Sequence, residues 1–97
     1  MPKGYWIANN RVDDPETYER YKAANAVPFA EYGARFLVRG GTQDTVEGDS
    51  HPRTVVIEFP SLEAAKACYA SATYQAAKAI RDDAAEGRLI IVEGYDG

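Results

Sequence analysis

The chain has 97 residues, of which 45% are hydrophobic and 27% charged, with a single cysteine. That composition fits one globular domain over residues 1–97 and excludes a disordered chain, a collagen-like chain and a disulfide scaffold. A balance of 11 Lys and Arg against 15 Asp and Glu leaves a net charge of −4, which repels phosphate backbones and argues against nucleic acid as a partner.

Gly4-Tyr5-Trp6-Ile7-Ala8 is aromatic and apolar, as a strand buried on both faces is, and it continues through Val12. Asp14 and Pro15 then announce a helix, the first as N-cap and the second at the first helical position. Steps of three and four residues through Tyr18, Tyr21, Asn25, Pro28/Phe29 and Tyr32 give it one buried stripe. Pro28 removes a helical hydrogen bond and meets the carbonyl of Ala24, so a kink or break is expected there; Gly33 is the natural stop.

Arg35 to Arg39 reads as a second strand, with a bulge or sharp bend at Gly40-Gly41 and an extension over Thr42 to Val46. Residues 47–52 form a polar turn, and Arg53 to Phe59 is a third strand, hairpin partner of the second. Ser61 caps a second helix with its stripe at Leu62, Ala65, Cys68 and Tyr69. Ser71-Ala72-Thr73 interrupts the pattern, which resumes at Tyr74, Ala77, Ile80 and Ala84 and is expected to stop at Gly87. Arg88 to Glu93 is the last strand. The order predicts an α+β, ferredoxin-like βαββαβ subunit: a four-stranded antiparallel sheet with its helices on one face.

The N-terminus has no apolar run suited to a signal peptide, and no stretch approaches the roughly 20 apolar residues that span a bilayer. With one unpaired cysteine, the expected setting is cytoplasmic, away from membranes. His51, the only histidine, has no second His or Cys at metal-ligand spacing, so neither a metal site nor a cofactor is expected. It sits in a turn, either as a solvated residue or as a general base. Cys68 falls on an apolar stripe and reads as a small buried hydrophobe. Neither a dinucleotide loop nor a phosphate loop is present.

Strand alternation places Val55, Ile57 and Phe59 under the helices and Thr54, Val56 and Glu58 on the opposite face, which is otherwise substantially apolar. A carboxylate there requires solvent or a cation, and Arg35, Arg39 and Arg53 are the candidates. Arg39 and Glu58 are expected to share that face, with Tyr32 and Tyr74 closing a cavity nearby. In that arrangement Arg39, Tyr32 and Tyr74 are ligand-binding candidates, and Glu58 or His51 an acid/base candidate.

Several of these pieces carry a family resemblance. They are the Asp-Pro-Glu helix containing Tyr and Pro, the run Tyr32 to Gly41, Glu47-Gly48, Glu58-Phe59-Pro60-Ser61, then Tyr69, Ser71, Tyr74, Arg81 and Val92-Glu93-Gly94. Together they resemble the bacterial domain-of-unknown-function 1330 family, of the dimeric α/β-barrel superfamily. Two positions depart from the pattern: Ala34, where a second glycine is more usual, and Cys68, where tryptophan is common before the tyrosine. The resemblance implies a homodimer and no established activity. Three functions follow as expectations: a dimer binding a small organic molecule, a cofactor-free monooxygenase or isomerase acting on an aromatic or lactone substrate, and a structural or interaction module without a ligand.

Overall fold

The computed structural model describes residues 2–96. Strand β1 (Gly4–Val12) leads into helix α1 (Pro15–Glu31), which is followed by the strands β2 (Arg35–Arg39) and β3 (Arg53–Phe59). Helices α2 (Leu62–Ala70) and α3 (Ala72–Asp82) then precede the last strand, β4 (Ala85–Glu93). Every strand pairing is antiparallel, and the order across the sheet is β2-β3-β1-β4. This is the βαββαβ arrangement, with the second helical segment divided in two. The molecule measures 37 × 35 × 17 Å, one sheet and one helical layer thick.

Local chemistry sets the ends of these elements. The Asp14 side chain accepts from the Thr17 backbone N–H at 3.3 Å, and Pro15 occupies the first turn of α1, where a missing N–H costs nothing. At the other end, Ala34 N–H donates to Phe29 O at 2.9 Å and Gly33 takes φ +73, closing the helix with a left-handed residue. Pro28 does not break α1. It lies in the last turn, so only one hydrogen bond is lost, and its ring is buried. Ser61 and Ser71 cap α2 and α3 through Ala64 N–H and Tyr74 N–H.

The core lies between sheet and helices and is dominated by aromatic rings. Trp6, 2% exposed, has the rings of Phe29, Phe59, Tyr69 and Tyr74 within 5.9 Å of its own. Its indole N–H donates to the Ala65 carbonyl at 2.9 Å, which fastens β1 to α2 and satisfies a polar group that would be costly to bury unpaired.

Three expectations are corrected. Residues 42–46 do not extend β2; with residues 41–50 they form an exposed loop, crossed by polar bonds such as Thr45 to Ser50 at 2.6 Å. The bulge sits inside β2 instead of at Gly40-Gly41: Phe36 faces Ile57 while Val38 faces Val56, so Leu37 is the extra residue. Gly87 does not end a helix. Helix α3 stops at Asp82, and Gly87 lies within β4 opposite Asn10, where a Cβ would come within 2.6 Å of the Asn10 Cα.

Candidate functional site

The bulge at Leu37 decides which side chains meet. Because one residue is inserted, Arg35 pairs across from Glu58 but Arg39 pairs across from Val55, on the helix-covered face. Arg39 and Glu58 therefore point to opposite sides of the sheet. This overturns the expected Arg39–Glu58 pair.

On the open face, Glu58 accepts from Tyr5 OH at 3.1 Å and lies 3.4 Å from the Arg35 guanidinium. The bond to the Glu58 carboxylate holds the Tyr5 phenol above its ordinary range. Around this trio the face is apolar: Ile7, Val38, Val92 and the 55%-exposed Ile90 all lie on it.

On the covered face, the sheet and helices α1 and α3 enclose a cleft. Its inner chamber has about 30 Å³ of free space and is walled by aromatic rings, Trp6, Tyr18, Phe29 and Phe36 among them. Beside it, across Asn10 and Arg81, lies a wider chamber of about 240 Å³ bordered by the exposed Asp82, Glu86 and Arg88. Ala8, Asn10, Arg81 and Leu89 line both chambers, so the two adjoin across these residues.

Lys22, Arg39, Arg53 and Arg81 all line the inner chamber, and among the described residues no carboxylate, imidazole or thiol does. Lys22 is paired with Glu19 at 3.1 Å and Arg81 with Asp82 at 3.7 Å, both outside that chamber. Arg39 and Arg53 have no carboxylate partner among the described residues. Instead they lie on rings, Arg39 at 4.1 Å from the Phe36 centroid and Arg53 at 5.3 Å from that of Tyr18. Gly40 makes room for this arrangement: its φ is +71, and a Cβ there would run into the Arg53 guanidinium.

The chamber floor carries a buried chain of hydrogen bonds. Tyr21 OH and Tyr74 OH are 2.8 Å apart, and Arg81 Nη1 donates to Tyr74 OH at 2.9 Å. Burial, chiefly, pushes the Tyr74 phenol far above its ordinary range, so it stays protonated at any physiological pH. Two side-chain atoms of residues lining the chamber are buried without a hydrogen-bond partner among the described residues, Asn10 Oδ1 and Arg53 Nε.

Of the residues singled out from the sequence, Arg39 and Tyr74 line the cleft. Tyr32 packs against the core without lining either chamber, and Glu58 is on the far side of the sheet. The His51 backbone is held by the Asn9 amide, at 2.7 and 3.0 Å, and its side chain lines neither chamber. Cys68 is buried, which pushes its thiol up to about 12 and leaves it no nucleophile. No group of three His, Cys, Asp or Glu able to hold a metal ion occurs among the described residues. None of their helices is long and apolar enough to cross a membrane. Sequence reading considered Arg53 only as a partner for Glu58, which the structure gives to Arg35, and passed over Asn10, although parity marked both for the covered face: Arg53 alternates with Val55, and Asn10 with Trp6 and Ala8.

The family model described as a domain of unknown function, DUF1330, matches residues 3–95. The chain belongs to that family. No curated protein matches the sequence of this DUF1330 chain. Among solved structures, a protein of unknown function from Rhodopseudomonas palustris superposes with a TM-score of 0.79 at 17% identity, over 99% of this chain and 85% of that one. The cofactor-independent oxygenase SnoaB from Streptomyces nogalater gives 0.67 at 13%, over 100% and 97%. A dimeric ferredoxin-like protein of unknown function from Thermobifida fusca gives 0.60 at 18%, over 95% and 89%. At these identities the likeness establishes the shared ferredoxin-like fold.

Proposed function

We propose that this DUF1330 protein is a homodimer in which each subunit binds a small organic anion with a planar, aromatic body in its sheet–helix cleft. One observation carries the reading: four cations converge on an aromatic chamber lined by no carboxylate, in a chain whose net charge is −4. Arg39 and Arg53 lie on ring faces where a planar ligand would stack. Exposed cation–π contacts are worth only about 0.5–1 kcal/mol each. Exposed Arg39 therefore swings toward a carboxylate at small cost and vacates the Phe36 face, while half-buried Arg53 donates from where it stands. The outer chamber supplies the volume that the inner one lacks.

The second copy covers the open face. Ile7, Val38, Ile90 and Val92 form a patch of the kind that marks interfaces, and the Tyr5–Glu58–Arg35 trio keeps its carboxylate partnered when desolvated. The dimeric Thermobifida fusca neighbour supports this reading.

The oxygenase among the neighbours raises turnover as a second reading. The inner chamber's lining titratable groups are cations and phenols, and the carboxylates of the outer chamber, Asp82 and Glu86, are already ion-paired with Lys78 and Arg11. That favours binding over catalysis.

Titration with benzoate and with its neutral isostere benzamide tests the proposal. Trp6, the only tryptophan, lines the cleft, so its fluorescence reports occupancy. Saturable benzoate binding with a Kd of about 1 mM or lower is expected, with benzamide at least tenfold weaker. Equal binding of the two, or none of either, overturns it.

A further inference from the structure

The buried Tyr74 hydroxyl fixes the direction of the hydrogen bonds at the chamber floor. Tyr74 is 0% exposed, and among the described residues its oxygen meets only Tyr21 OH and Arg81 Nη1. A guanidinium donates and never accepts, so the Tyr74 proton goes to the Tyr21 oxygen. The proton of Tyr21 then has no acceptor among the described residues, and Tyr21 lines the inner chamber. Arg53 Nε is a second donor without an acceptor. Asn10, 8% exposed, presents the opposite need at the junction of the chambers: its Oδ1 is buried and receives no donor.

Buried polar groups are nearly always paired, so the cleft carries the imprint of what completes it. Two donors require acceptor oxygens, one acceptor requires an O–H or N–H, and the walls between them are rings. We propose that the anion of the cleft is a hydroxylated aromatic acid, whose oxygens accept from Tyr21 and Arg53 and whose hydroxyl donates to Asn10. This rests on the anion-binding reading above and adds the substituent that the cleft selects. Tyr21, Asn10 and Arg53 are the binding residues. Tyr74 and Arg81 position the Tyr21 hydroxyl.

The inner chamber also has room for one or two water molecules, at about 30 Å³. Water alone would answer the same unpaired groups, and a ligand hydroxyl would then add nothing. The test is therefore a comparison of ligands on the unaltered protein: benzoate, the three hydroxybenzoate isomers and their methyl ethers, read by Trp6 fluorescence and calorimetry. At least one hydroxybenzoate is expected to bind about tenfold more tightly than benzoate, and its ether, which cannot donate, to lose that gain. In Asn10→Leu the preference for the hydroxybenzoate over benzoate disappears, so that the ratio of the two affinities falls to about one. In Tyr21→Phe benzoate and the preferred hydroxybenzoate weaken together. The ether comparison needs no variant, so it stands even where a substitution impairs folding. Hydroxybenzoates that bind no better than benzoate overturn this inference and leave the anion reading in place. Binding by none of the acids, benzoate included, removes the anion reading itself.

Discussion

Replacing Phe29 with alanine removes the ring on which the aromatic core closes. Phe29 is 5% exposed, and its neighbours come from four different elements. Trp6 of β1 lies at 5.3 Å, Phe36 of β2 at 5.6 Å, Tyr74 of α3 at 5.9 Å in a stacked pair, and Phe59 of β3 at 6.3 Å. Phe→Ala in a core costs about 3–5 kcal/mol, and the cost rises as the surroundings fail to collapse into the gap. Rigid rings held by four separate elements collapse poorly, which puts the expected loss near 4–5 kcal/mol. A domain of this size has about 5–15 kcal/mol in total. At about 4–8 °C per kcal/mol, the melting midpoint falls by about 15 °C or more. Urea titration at fixed protein concentration, followed by Trp6 fluorescence, measures this directly, because Trp6 touches the deleted ring. A loss under about 1 kcal/mol with an unchanged m-value would refute the placement of Phe29 at the centre of the core.

Three further outcomes follow. Gly87→Ala forces a Cβ into Asn9 and Asn10 of the neighbouring strand, so it should destabilise by about 1–3 kcal/mol, seen as a lower urea midpoint; an unchanged midpoint would show that β1 and β4 are not paired in this register. Burial raises the Cys68 thiol from an ordinary 9.0 to about 12 in the fold, so its contribution to stability is whole below the unfolded value and is lost as pH climbs from there toward 12. Correspondingly, a disulfide reagent at pH 8 should label Cys68 only after unfolding, and rapid labelling of the native protein would contradict its burial. Light scattering at micromolar concentration should give about twice the 10.6 kDa chain mass, and Ile90→Asp, which buries an unpaired charge in the interface, should give the monomer; a native monomer would remove the dimer.

The fold was legible in the sequence wherever a local signal stands alone. Asp14-Pro15, Ser61 and Ser71 each mark a helix start by supplying a side-chain acceptor, and the stripe Tyr18, Tyr21, Asn25, Phe29 gave the buried face of α1. The site was less legible, because it depends on one inserted residue. A bulge at Leu37 has no composition of its own, yet it turns Arg39 from the open face to the cleft and leaves Glu58 to Arg35. Gly87 misled for a related reason. Glycine ends helices and also fits where two backbones approach closely, and only the neighbouring strand tells these apart. The cleft itself was half-visible: Arg53 and Asn10 are polar residues on the parity of Trp6 and Phe59, which in a covered sheet face is the mark of an opening in the core.

The central claim is that the cations of the cleft bind an organic anion, and calorimetric titration of benzoate against two single variants tests it most directly. Arg53→Ala and Arg20→Ala each remove one positive charge, but only Arg53 lines the cleft; Arg20 lies on the exposed side of α1, 3.3 Å from Thr17. A hydrogen bond to a charged group is worth about 1.5–3 kcal/mol, so Arg53→Ala should weaken benzoate binding by tenfold or more. Arg20→Ala should leave it within about twofold. Equal affinities for the two variants would place the anion elsewhere and contradict the account.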